Sequence, residues 1–391
     1  MTVLDRLDAR LEEALPEEEA AVLEAVKRLA GRTVAPTAAE LDAEARFPWD
    51  NLAAMRALEL NRMFVPEAYG GAGLSFACYI RAAHEMARAC AATGIVWSTT
   101  FHAVKPVIDF GSEDLKRRIL PRIADGGLAA LCITEENAGS DATGMRTRFR
   151  PDGGAIVIDG AKTFITNGDV ADVYVLFGKW AEIEDGRAAI SALVVEKEAA
   201  GISVLRLEDK LGLRASSTAA LAFEGVRVPR ENLVLGPGEG LKVLFGALNK
   251  SRPSIAAHAL GIARAAFGDA VDYIGQRRQS GRRIADFQGI QFMLADLATE
   301  LAQAELWLGY VAGLVDEGLD DIGIEASMAK LSASDLAMKA ADMCVQLHGG
   351  YGYIRAYRAE RLLRDAKITQ IWEGTNQIHR QLIGRSFARQ A

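Results

Sequence analysis

Apolar positions recur every three or four residues through most of the chain, and every second residue in one stretch near its middle. In the last third, Ile290, Leu294, Leu297, Leu301, Ala304, Leu308 and Val311 alternate steps of four and three, which places all seven on one helical face. Leu260, Phe267, Val271 and Ile274 mark a second such face, and the Ala-, Met- and Leu-rich stretch 325–347 a third helix. No proline follows Pro253, so long uninterrupted helices are allowed there. The N-terminal third predicts helices over 17–45, 49–60 and 76–93, with a loop at FVPEAYGGAGLS (64–75).

Between about 128 and 230 the period shortens. Short β-rich runs (Ile156–Ile158, Val173–Phe177, Ile190–Val195, Leu221–Val228) are divided by turn sequences such as Pro151-Asp152-Gly153-Gly154. No helix of useful length separates them, which favours an antiparallel or mixed barrel over a βαβ sheet. The expected fold class is therefore α+β, mainly α. It has a helical domain over 1–127, a β-barrel domain over 128–236 and a C-terminal helix bundle over 237–391.

Composition narrows the function. Half the residues are hydrophobic and the formal net charge is -7, which argues against nucleic acid or an anionic membrane as main partners. The N-terminus is acidic and lacks the features of a signal or transit peptide, and no run of about 18 apolar residues occurs; the expected location is the cytosol. Cys78, Cys90, Cys132 and Cys344 lack metal or redox spacing and are expected as reduced, buried thiols. The five histidines show no ligand pattern, so no metal site is expected. G-x-G-x-x-G after a strand and the P-loop pattern are both missing, and GPGEG (236–240) is read as a loop.

Four ordered segments carry a resemblance: FVPEAYGGAGLS (64–75), ITEENAGSDATGMRT (133–147), FITNG (164–168) and IWEGTNQIHR (371–380). KLGLRASST (210–218), FEGVRVPRENLVLG (223–236) and QLHGGYGY (346–353) extend it over nearly the whole chain. Together they resemble the acyl-CoA dehydrogenase family. The resemblance implies a helical domain, a β-barrel and a four-helix bundle, with FAD held partly across a subunit interface in a homotetramer or homodimer. It also implies an acyl-CoA substrate and an electron-transferring flavoprotein as electron acceptor.

That reaction needs a base for the proton next to the thioester carbonyl, donors for the developing enolate-like charge, and a hydride acceptor that only a cofactor provides. By resemblance, Glu373 is the base, its backbone N–H polarises the carbonyl, and Gly374 lies at the substrate. Trp372 beside it is expected to raise the carboxyl pKa. Some relatives carry the base just before an arginine; here that position is Ser251, before Arg252, and serine cannot be a carboxylate base. Arg252 is either a substrate-end contact or an ordinary ion pair.

The resemblance assigns the flavin ring to Thr134 and to Phe164, Ile165 and Thr166, with Ser140 between flavin and CoA phosphates. Glu136 replaces the family's proline in that loop. The basic run Arg277–Arg283 is either a solvated helix end or a clamp on the neighbour's FAD pyrophosphate. In the clamp reading Arg277 is the contact, eleven residues before Gln288, while Ser280 replaces an aromatic residue. Gln346 and Gly350 resemble the remaining pyrophosphate contacts, and Thr375 and Gln377 contacts to the adenosine half. The segment 97–111 corresponds to the acyl pocket lining. His102 and Lys105 there are expected to face solvent; the alternative is a polar acyl group paired with Lys105. Thr93 stands where a glutaryl-CoA enzyme carries arginine. The rival functions are a family-fold flavoprotein that reacts with oxygen, as an oxidase or monooxygenase, and a non-catalytic helical scaffold.

Overall fold

A computed structural model describes residues 2–184 and 186–388. The chain begins with α1 (Val3–Glu13) and α2 (Glu17–Leu29), and α2 passes through a π-helical turn at Ala30–Val34 into α3 (Ala35–Glu44). The expected 17–45 helix is thus one helical run with an irregular middle. α4 (Trp49–Ala57) follows, and the 64–75 loop is built on short 3-10 turns. The predicted 76–93 helix differs from the structure. It is split at extended Cys90 (φ -153°) into α5 (Phe76–Ala89) and α6 (Ala91–Phe110). The split turns the chain back so that α6 packs on α5. Gly94 permits the approach, because a Cβ there would lie 3.1 Å from the Ala87 amide nitrogen. Ser112 then caps α7 (Glu113–Ala124) by accepting the Leu115 N–H.

The middle forms one mixed sheet. Its strands are β1 (Ala129–Cys132), β2 (Arg148–Asp152), β3 (Ala155–Thr166), β4 (Val173–Trp180), β5 (Ile190–Glu196), β6 (Ile202–Leu207), β7 (Thr218–Pro229) and β8 (Leu233–Val234). They pair in the order β6-β7-β3-β2-β4-β5-β8, with β1 parallel to β4. Strand alternation serves two cores. Tyr174 and Leu176 point with Phe149, Ile158 and Phe223 into a core enclosed by the strands. Val173, Val175 and Phe177 point the other way into the core shared with the helices. That double burial explains why β4 reads as a continuous apolar run.

The C-terminal part holds α8 (Gly240–Gln276), α9 (Gln288–Asp316), α10 (Gly323–His348), α11 (Ala359–Thr369) and α12 (Asn376–Ala388). Five of the seven residues of the predicted stripe (Leu297, Leu301, Ala304, Leu308, Val311) are buried. α8 runs straight through Pro253, which donates no hydrogen bond to the turn before it. The basic run is exposed and follows the end of α8 as a small hairpin, β9 (Arg278–Gln279) and β10 (Arg282–Arg283), turning at Ser280 and Gly281. All four cysteines are buried and free.

Candidate active site

Glu373 sits in the short connection between α11 and α12. Its backbone is left-handed (φ 52°), a conformation that costs a non-glycine residue of order 1 kcal/mol and concentrates at functional sites. Gly374 continues in the same region (φ 94°), where a side chain would be strained and would approach His379 Nε2. The carboxylate is partly buried and accepts a 2.7 Å hydrogen bond from Ser251 Oγ on α8. Burial pushes its pKa up; Ser251, Arg252 and Lys330 oppose the rise by favouring the charged form. Ser251, excluded as a base from its chemistry, thus reappears as the base candidate's hydrogen-bond donor.

The turn is held from beneath. Lys330 Nζ, fully buried on α10, donates to the Gly374 carbonyl (2.8 Å) and to Asn376 Oδ1 (2.9 Å). Ser334 one turn on bonds the same amide. Burial lowers the Lys330 pKa to about 7, with Glu373 pulling the other way. Arg252 is buried and, among the described residues, makes no ion pair. Nη1 reaches only Ser327 Oγ at 3.3 Å, and Nε has no partner. The ion-pair alternative for Arg252 is therefore corrected. His258, His379 and the Trp372 indole N–H are likewise buried polar groups without protein partners. Trp372 lies edge-to-face on His258 at 5.8 Å. Orphaned donors gathered around one carboxylate are what a polar ligand or ordered water would satisfy.

The residues matched to the flavin ring share one corner of the sheet. The Thr163 N–H donates to the Thr134 carbonyl (2.9 Å), which joins the 133–147 loop to the end of β3. There Phe164 is left-handed (φ 57°) and 62% exposed, Ile165 is buried and Thr166 half-buried. Glu136 is exposed in the 133–147 loop. Glu135 fixes the loop, accepting from Thr147 N (3.0 Å), Thr147 Oγ1 (2.6 Å) and the fully buried Lys162 Nζ (2.7 Å). Ser140 is exposed on the same loop.

A second group meets elsewhere. Arg277, Gln346 and Gly350 line one cleft of about 690 Å³ with Tyr273, Ile284 and Tyr351. Arg277 forms no ion pair among the described residues; its guanidinium lies over the Tyr351 ring at 5.6 Å. An unpaired arginine in an open cleft fits a phosphate group. Gln288 lies exposed at the start of α9 and does not line this cleft. Thr375 accepts the Ile378 N–H at the start of α12, and Gln377 is exposed.

His102 and Lys105 overturn the expectation that they face solvent. His102 is buried and its Nε2 meets Ser254 Oγ at 2.8 Å. Lys105 is half-buried and paired to Asp109 (2.5 Å), which Lys250 also contacts. The packed charges of α6 and α8 satisfy each other there. Thr93 is buried and accepts from Asn51 Nδ2. Sequence reading did not single out Lys330 or Lys162. Lys330 carried a signal, since it falls on the apolar stripe of Ala326, Ala329, Ala333 and Ala337.

Comparison with known proteins places the chain in a family. The chain matches the family models for the acyl-CoA dehydrogenase N-terminal domain (residues 16–127), middle domain (130–226) and C-terminal domain (238–388). It is an α-domain, β-domain, α-domain protein of the acyl-CoA dehydrogenase fold. The chain belongs to the acyl-CoA dehydrogenase family. An acyl-CoA dehydrogenase of Bacillus subtilis (strain 168) is 44% identical over 371 residues, covering 94% of this chain and 97% of that one. The structure of butyryl-CoA dehydrogenase from Megasphaera elsdenii superposes with a TM-score of 0.93 at 35% identity, covering 96% of this chain and 99% of that one. A chain from the structure of the electron transferring flavoprotein of Acidaminococcus fermentans gives the same TM-score at 39% identity, over 96% and 99% of the two chains.

Proposed function

We propose that the chain is an FAD-dependent acyl-CoA dehydrogenase that desaturates the α,β bond of an acyl-CoA thioester. The observation that carries this reading is Glu373. It is a strained, partly buried carboxylate with a serine donor, an unpaired arginine nearby and no competing acid at position 251. FAD, when bound, supplies the hydride acceptor that side chains lack. Thr134, Phe164, Ile165 and Thr166 would hold its ring, and Ser140 would lie between ring and CoA. Arg277, Gln346 and Gly350, with Gln288, Thr375 and Gln377, would hold the pyrophosphate and adenosine of a neighbouring subunit's FAD. This sharing favours a homotetramer, or at least a dimer.

Glu373 removes the α-proton to its carboxylate. Burial raises its pKa towards a working range, while Ser251, Arg252 and Lys330 oppose the rise. The Glu373 N–H and Gly374 face the thioester carbonyl, and Arg252 adds positive potential where oxygen becomes negative. The likeness to a chain from the structure of the electron transferring flavoprotein of Acidaminococcus fermentans supports such a protein as electron acceptor.

Anaerobic titration with acyl-CoAs tests the reading. An effective substrate bleaches the visible flavin band. Glu373→Gln keeps the bound flavin and slows bleaching by at least about 10²-fold, the low end for loss of a general base. Equal rates for the two proteins would remove Glu373 from the mechanism.

A further inference from the structure

We propose that Tyr79, His102 and Ser254 form a hydrogen-bonded floor that closes the acyl chamber about one helical turn beyond Glu373 and confines the enzyme to butyryl-sized acyl groups. This deepens the proposed function and rests on it.

The chamber lies between the base and the 164–167 turn, because the reacting carbons must touch both. α6 is tied to each side. Its Val96 carbonyl accepts from Asn167 Nδ2 at 2.9 Å, beside Phe164–Thr166. Its His102 bonds Ser254 on α8, one turn after Ser251, which donates to Glu373. Val96 and His102 are roughly 9 Å apart along α6 at the helical rise. The wall between flavin corner and base is therefore this stretch of α6.

Ser254 sits at the far end of that wall, fully buried. Its hydroxyl meets Tyr79 Oη on α5 and His102 Nε2 on α6, each at 2.8 Å. One atom thus draws three helices together. A serine hydroxyl donates once and accepts twice, so both partners are accommodated. Burial lowers the His102 pKa to about 3, so the imidazole is neutral and adds no charge to the floor. Behind the knot lies a cluster of buried aromatic rings. The Tyr79 ring packs on Phe101 at 4.2 Å, Trp97 at 5.5 Å, Phe76 at 5.8 Å and Phe64 at 6.0 Å. A long alkyl tail would have to part these rings and strand buried hydroxyl and imidazole groups that it cannot satisfy. A short acyl group ends before reaching them.

The test measures kcat/KM for butyryl-, hexanoyl-, octanoyl- and lauroyl-CoA with the flavin-loaded enzyme, His102→Ala and Ser254→Ala. Wild type should lose at least roughly tenfold between butyryl- and octanoyl-CoA, the scale on which a pocket rejects extra methylenes. His102→Ala opens volume at the floor and should raise the octanoyl-to-butyryl ratio by roughly tenfold. Ser254→Ala, which keeps the packing but unties the knot, should raise it less. Circular dichroism and bound flavin establish that each variant is folded. Octanoyl- or lauroyl-CoA used as well as butyryl-CoA by wild type, or ratios unchanged in both variants, overturns the floor and leaves the dehydrogenase reading standing. No bleaching by any acyl-CoA in any of the three proteins overturns both.

Discussion

Ser251 and Glu373 are separated by more than a hundred residues yet share one proton donor and one acceptor at 2.7 Å. A hydrogen bond to an ionised group contributes about 1.5–3 kcal/mol, and one pKa unit corresponds to about 1.4 kcal/mol. In a partly open site the lower end applies. Ser251→Ala removes a stabiliser of the carboxylate form, so the Glu373 pKa rises. The base must be ionised, so the acid limb of kcat/KM against pH moves up by about one unit. Activity is then lost first at low pH and largely recovered above the new limb. A serine that only fills space would lower the rate at every pH and leave the limb in place. Glu373 stands out as the candidate base from IWEGTNQIHR and from Ser251 being no acid. Its donor does not, because a hydrogen bond between α8 and the α11–α12 turn depends on helix packing that no local pattern encodes. The neutral, buried state of His102 was hidden for the same reason. A lone histidine in a helix reads as polar until the facing helix supplies Ser254.

Elements were legible where the period was long and single-sided. The stripe on α9 and the continuous apolar run of β4 are both observed. α6 blurred into α5 because nearly every residue of α6 is buried, and burial on all sides erases the face that periodicity detects. β6 escaped because it is an edge strand with exposed Val204, Leu205 and Leu207. The loop beside the proposed flavin corner is fixed by a buried ion pair and backbone amides. Glu135 accepts from the Arg146 and Thr147 amides, and Lys162 on β3 pins both Glu135 and the Ile133 carbonyl (2.9 Å). Burial alone would raise the Glu135 pKa, but Lys162 and the amide bonds hold it below the usual carboxylate value. Lys162→Met removes the one cation from this knot. Thr134 loses its fixed position, and flavin affinity should fall by roughly tenfold, or about 1.4 kcal/mol. Equilibrium dialysis of flavin against the folded variant measures it. Wild-type affinity would show that the pair supports only the sheet.

On the scale of the whole molecule, one arginine links the candidate base to the proposed flavin corner. Arg364 on α11 forks onto Asp42 of α3 (3.0 and 2.6 Å), bonds Glu360 (2.7 Å) and donates to the Leu211 carbonyl (3.1 Å). Its neighbour Asp365 accepts the Leu213 N–H at 2.6 Å. The same 210–218 segment gives its Ser217 carbonyl to the Asn167 N–H at the end of FITNG. α11 in turn leads directly into the Glu373 turn. All three domains of the family therefore meet at Arg364, and the two halves of the proposed site are referenced to it. The pair with Asp42 is mostly withdrawn from water, so Arg364→Ala strands a carboxylate. The loss should be about 2–3 kcal/mol, reduced from the fully buried case because both groups keep some solvent. The apparent Tm should fall by roughly 5 °C in a circular dichroism melt. Arg46 is the control. It pairs with Glu40 and Glu44 on the surface, and Arg46→Ala should leave the melt unchanged. Matching melts for the two variants would reduce the Arg364 contacts to surface ion pairs. A selective loss at Arg364, with the rate of flavin bleaching falling alongside it, would identify the join between domains as what keeps base and cofactor in register.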